Sequence, residues 1–146
     1  MKKTYAMVTL LALVAVMTVT AAAQSSSNAK IRVHIPFEFN VGDKILPAGE
    51  YSIRQVNPSS DLAVLEIANR NRVAAALVRA QSVYTAAANR STLTFRRCGS
   101  QYFFARAAIE GMTEAWQAPK SRAERGVERE LALVNSKAEA VVIAAR

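Results

Sequence analysis

The chain has little with which to do redox or metal chemistry. One cysteine, Cys98, and one histidine, His34, are all that its 146 residues contain. A structural zinc site takes four ligands, mostly cysteine and histidine, so no metal site and no cofactor are expected. A lone cysteine also excludes an internal disulfide. Glycine and proline are sparse, at five and four, which excludes a collagen-like or Gly/Pro-rich low-complexity chain. Gly49, Gly99 and Gly111 stand singly, so none belongs to a phosphate-cradling glycine loop. Acid is the scarcer charge, with 11 Asp and Glu against 19 Lys and Arg. That excess of base favours anionic partners. Beyond the first two dozen residues no apolar run approaches the ~20 residues that span a bilayer as a helix.

What is present begins with an address. Lys2 and Lys3 are followed by an apolar stretch from Ala6 to Val19, interrupted only by Thr9 and Thr18, and then by Ala21-Ala22-Ala23. A positive start, a short apolar core and small residues at the end make the pattern of a secretory signal peptide. Cleavage is expected after Ala23, giving a periplasmic or secreted protein with no transmembrane span. Residues 24–29 are Ser- and Asn-rich and are expected to be a flexible leader.

Residues 30–110 read as an antiparallel β domain. Ile31, Val33, Ile35, Phe37, Phe39 and Val41 alternate with Arg32, His34, Pro36, Glu38 and Asn40, which predicts one half-buried strand. Pro36 cannot donate to a ladder and places that strand at an edge or gives it a bulge. Gly42-Asp43, Pro47-Ala48-Gly49, Asn57-Pro58 and Cys98-Gly99-Ser100 are turn signals. Asn69-Arg70-Asn71 reads as a hairpin connection between the apolar runs 62–68 and 73–81. About six strands follow, in an antiparallel sandwich or small barrel. Residues 111–119 read as a linker and 120–146 as a helical tail packed on the sheet. Ser121 and Glu124 have capping-box spacing. Val127, Leu131, Val134, Ala138, Val141 and Ala145 make one apolar stripe, while Asn135-Ser136 threatens to split the helix.

Three stretches carry a resemblance: Ile35-Pro36-Phe37-Glu38-Phe39 with Val41-Gly42, Leu46-Pro47-Ala48-Gly49-Glu50-Tyr51, and Gln101-Tyr102-Phe103-Phe104. The chain resembles small exported bacterial proteins of no assigned activity that open with an "IPFxFxVG…LPAGEY" pattern. The resemblance implies export, a β-rich domain and a C-terminal helical tail. It implies no reaction and no catalytic residues.

No group of residues reads as an active site. His34 lies on the polar side of its strand, between Arg32 and Glu38, and reads as solvent-facing. Six of the eleven carboxylates (Glu110, Glu114, Glu124, Glu128, Glu130 and Glu139) fall in the last third, interleaved with Arg122, Arg125 and Arg129 as on a solvated helix face. The base lies elsewhere. Residues 30–97 carry ten basic and five acidic side chains, with Arg70, Arg72, Arg96 and Arg97 at predicted turns or strand ends.

In the final predicted strand, Phe103, Ala105, Ala107 and Ile109 share one side. Tyr102, Phe104 and Arg106 share the other. Two aromatics beside an arginine need cover, from the helix or from a partner. Tyr102, Phe104, Arg106, Arg96 and Arg97 therefore form the candidate partner surface.

The function expected is a non-enzymatic β-domain with a binding or structural role in the cell envelope. Its partner would be an anionic envelope polymer or another envelope protein, not nucleic acid, and the chain a monomer or weak dimer. A lipocalin-like carrier of a small apolar ligand is the alternative, and a hydrolase a more distant one.

Overall fold

The computed structural model describes residues 30–145 apart from Ser59 and Asp61. The expected signal peptide (1–23) and leader (24–29) lie outside the described residues. The strands are β1 (Ile31–Ile35), β2 (Phe39–Val41), β3 (Lys44–Leu46), β4 (Gly49–Gln55), β5 (Leu62–Asn69), β6 (Ala75–Tyr84), β7 (Thr92–Cys98), β8 (Gln101–Ala108), β9 (Glu114–Gln117) and β10 (Glu139–Ala144). One helix, α1 (Arg122–Leu133), joins β9 to β10. The protein is mainly β, a single sheet that does not close, with a C-terminal helix.

The ten strands exceed the expected six for local reasons. Pro36 ends β1, so the eleven-residue alternation becomes two strands joined by a bend. The stretch 111–119, read as a linker, carries β9 between β6 and β8. The stretch 120–146, read as a helical tail, is helical only to Leu133 and then pairs β10 with β7.

Strand order is β1-β4-β5-β6-β9-β8-β2-β3, with β7 on the other edge of β8 and β10 outside β7. The sheet curls so that β10 returns alongside β1 and β3 lies against β6. Among the described residues no ladder joins β1 to β10. Inward residues from both halves share one core: Ile31, Val33 and Ile35 from β1, Ile53 from β4, Leu65 and Ile67 from β5, and Leu93 and Phe95 from β7.

The three stretches that carry the family resemblance meet at one corner of this core. Phe37 stacks on Tyr102 with ring centroids 3.8 Å apart. Phe39 meets Tyr51 edge-on at 5.1 Å. Tyr51 donates its hydroxyl to the Pro47 carbonyl at 2.7 Å, tying down the turn that precedes it. Asn40 Nδ2 donates to the Tyr102 carbonyl at 3.1 Å, across the parallel contact of β2 with β8. These residues hold a corner together, and of them Tyr51 also underlies the cleft over β1, β4 and β5.

A bulge decides which way the β8 aromatics point. Thr94 pairs with Arg106 but Phe95 pairs with Phe104, which leaves Ala105 as an extra residue. Side-chain direction therefore switches at Ala105. Phe104 and Ala107 both enter the core, and Tyr102 packs against it. The expected cover of Tyr102 and Phe104 by the helix is thus corrected. It is Phe103 that points the other way. It stands opposite Arg96 in register, and Arg96 bonds Glu124 of α1, so this is the face the helix covers.

Helix α1 has defined ends. The Ser121 hydroxyl accepts a hydrogen bond from the Glu124 amide, as an N-cap should. At the other end Asn135 takes a left-handed conformation, φ 53. Ser136 N–H then donates to the Leu131 carbonyl and Asn135 N–H to that of Ala132, a Schellman closure. The apolar stripe read through Ala145 is interrupted there, and its last members belong to the β10 segment, where Val141, Ile143 and Ala145 pack against the core.

Candidate anion-binding cleft

Cross-strand register builds the site. The outward residues of β1, β4 and β5 fall into rows across the sheet. Arg32 stands opposite Ser52, and Ser52 opposite Ala68. On one side of that row Arg54 stands opposite Glu66, and on the other His34 stands opposite Glu50. The middle row ends in short side chains, so it is a trough between taller neighbours. With Lys30, Arg70, Arg72 and Ala144 at its margins, the trough opens into a cleft of about 1130 Å³.

The cleft is lined by five long cationic side chains: Lys30, Arg32, Arg54, Arg70 and Arg72. Only two carboxylates, Glu50 and Glu66, line it with them. Glu66 is already engaged, since Arg54 Nε donates to it and Arg72 approaches within 3.8 Å. Among the described residues, Lys30, Arg32 and Arg70 make no ion pair. The field in the trough is therefore positive. No phenylalanine or tryptophan lines the cleft, and the Tyr51 ring beneath it is buried in the core.

The β5–β6 turn presents the last two arginines. Asn69 N–H donates to the Ala74 carbonyl at 2.9 Å, and the Asn69 side chain accepts from Ala74 N–H at 3.2 Å. Between these clamps Arg72 is left-handed, φ 56, a conformation that costs a non-glycine residue energy. This backbone carries the Arg72 guanidinium to Glu66.

The five residues named from sequence do not form one surface. Phe104 is buried in the core. Arg96 is bonded through two nitrogens to Glu124, which is 1% exposed. Arg106 is half-buried, with a buried Nε that has no hydrogen-bond partner among the described residues. Arg97 and Tyr102 do meet, the guanidinium 5.8 Å from the ring centroid, and Arg97 also lies 3.8 Å from Glu139. His34 is exposed on the polar side of β1, where the alternation placed it. Arg70 and Arg72 were legible as turn arginines. Their gathering with Lys30, Arg32 and Arg54 was not, because it depends on register between strands.

Two other places gather polar groups. Cys98 Sγ and carboxylate oxygens of Glu124 and Glu128 lie within 4.8 Å of one another between β7 and α1. Arg96 and Lys120 already neutralise those carboxylates. Burial pushes the Cys98 thiol pKa up, and the two carboxylates add to the shift. A pocket of about 350 Å³ lies where β6 and β9 meet the β4–β5 loop, lined by Gln55, Ser82, Glu114 and Trp116 among others.

Searches of family models, curated proteins and solved structures find no match to this chain.

Proposed function

We propose that this chain is an exported, non-enzymatic β-domain that binds an anionic partner in the cell envelope through the cleft over β1, β4 and β5. The observation that carries the reading is the imbalance of charge in one shaped hollow. Five long cations surround a floor of Ser52 and Ala68, and one of the two carboxylates is already bonded to arginine. Guanidinium groups pair readily with oxyanions. Large side chains, among them Phe39, Phe95 and Phe104, fill the interior where a carrier of an apolar ligand would need room. The signal-peptide pattern and the resemblance of the "IPFEF" and "LPAGEY" stretches support export.

The test is retention on immobilised envelope extract at low and high salt, with the purified protein and an Arg32→Ser/Arg70→Ser variant. The protein is expected to bind an anionic component, to release it as salt rises, and to lose retention in the variant. Retention that ignores both salt and the two arginines would refute the reading.

A further inference from the structure

The shape of the cleft says more than its sign. We propose that it holds an extended phosphodiester chain lying across the strands, rather than a single anion, a carboxylate polysaccharide or a stacked base. This rests on the anion-binding reading above and narrows it.

The trough runs from Arg32 on β1 over Ser52 on β4 to Ala68 on β5. With strands about 4.8 Å apart, that is a lane about 10 Å long, more than one phosphate group can occupy. Past Arg32 its floor is short, Ser52 and Ala68, so a polymer backbone can lie close to the sheet. The cations are spread along the lane rather than gathered at a point. Lys30 and Arg32 stand at the β1 end. Arg54 lies at the middle, and Arg70 and Arg72 stand at the β5 end. A single small anion would be best held by convergent donors. A line of separated guanidinium groups suits repeating charges.

The lining also says what the repeat lacks. Sugar rings and nucleobases are commonly gripped by an exposed aromatic face. Here no phenylalanine or tryptophan lines the wall, the Tyr51 ring belongs to the core, and the exposed ring left is the small imidazole of His34 opposite Glu50. Recognition must therefore come from charge and hydrogen bonds, supplied by the arginines together with Ser52 and Asn69. A flexible phosphate–alcohol chain offers those contacts and asks for no stacking.

The experiment measures binding of abasic phosphodiester oligomers of one, three and six units across a salt series. Comparators are oligothymidylate and a hyaluronate oligomer of matched charge. Affinity is expected to rise on the order of 100-fold from monomer to hexamer as linked contacts engage together. The slope of log affinity against log salt should reach about −2 for the hexamer, near −0.7 for each of three neutralised phosphates. Arg32→Gln and Arg70→Gln should each flatten that slope, whereas Arg129→Gln, on the exposed side of α1, should leave it unchanged.

If a monomer binds as tightly as the hexamer, the extended mode is wrong while the anion-binding reading stands. If hyaluronate binds more tightly than the abasic hexamer, the phosphodiester class is wrong; if oligothymidylate does, the exclusion of a stacked base is wrong. If no anionic probe binds in a salt-dependent way, both readings fall together. Thermal unfolding of each variant establishes that a loss of binding is not a loss of fold.

Discussion

Glu124 shows how one side chain joins two parts of the molecule. It is 1% exposed, donates its amide to the N-cap hydroxyl of Ser121, and carries a carboxylate bonded to Arg96 on β7. Removing one partner of a buried pair leaves the other charge without compensation. Glu124→Gln is expected to destabilise the protein by about 3 kcal/mol in denaturant titration. Ser121→Ala should cost less, about 1 kcal/mol, because it removes only the N-cap acceptor.

Cys98 and Tyr51 supply a pH dependence. Burial raises the pKa of both, helped at Cys98 by Glu124 and Glu128. A folded-state pKa above the unfolded value means that the unfolded chain ionises first. Stability from these groups is complete at neutral pH and is lost as pH climbs above about 9. Unfolding midpoints at pH 7 and pH 10 measure it, and a Cys98→Ala variant should lose less between the two. The same burial makes the thiol slow to alkylate until the protein is denatured.

At the level of elements, the bulge at Ala105 is the decisive irregularity. It lets Phe104 and Ala107, three residues apart, enter the same core. Deleting Ala105 restores strict alternation and forces one half of β8 to turn over. The deletion is expected to abolish cooperative unfolding, whereas Ala105→Ser should keep it. Strict period-two reading sets Phe103 on the same side as Ala107 for want of this one residue, which leaves no mark in composition. The helix was more legible. Ser121 and Glu124 announced its start, and Asn135-Ser136 the place where it stops. Strand β10 was hidden because Val127, Leu131 and Val134 set a helical rhythm that Val141 continues by coincidence of spacing.

Across the whole molecule, alternation in the first strand and the turn signals revealed the fold class. The inward lists of β1 and β4 follow directly from Ile31, Val33, Ile35, Tyr51 and Ile53. The cleft could not be read that way. Arg32, Arg54 and Arg72 are far apart in sequence, and only register brings them to one trough. The edge strand β10 is as important to the whole as any central strand. It satisfies β7 along its length, from Glu139↔Arg97 to Ala144↔Thr92, and seats Val141 and Ile143 on the core. Ending the chain after Ser136 should leave β7 as a bare edge above Leu93 and Phe95, and the product is expected to aggregate. A soluble truncated chain with unchanged melting temperature would show that β10 is dispensable.

The parallel contact of β2 with β8 bears on the time course of folding. Asn40 and Tyr102 are 62 residues apart, and nothing nearer in the chain gives β2 its second neighbour. Strand β7 in turn waits for β10, the last of the ten strands to leave the ribosome. Distant partners are slow to find one another. Strand β2 must therefore wait half-made until β8 has been delivered, an interval in which a holding chaperone would find its client.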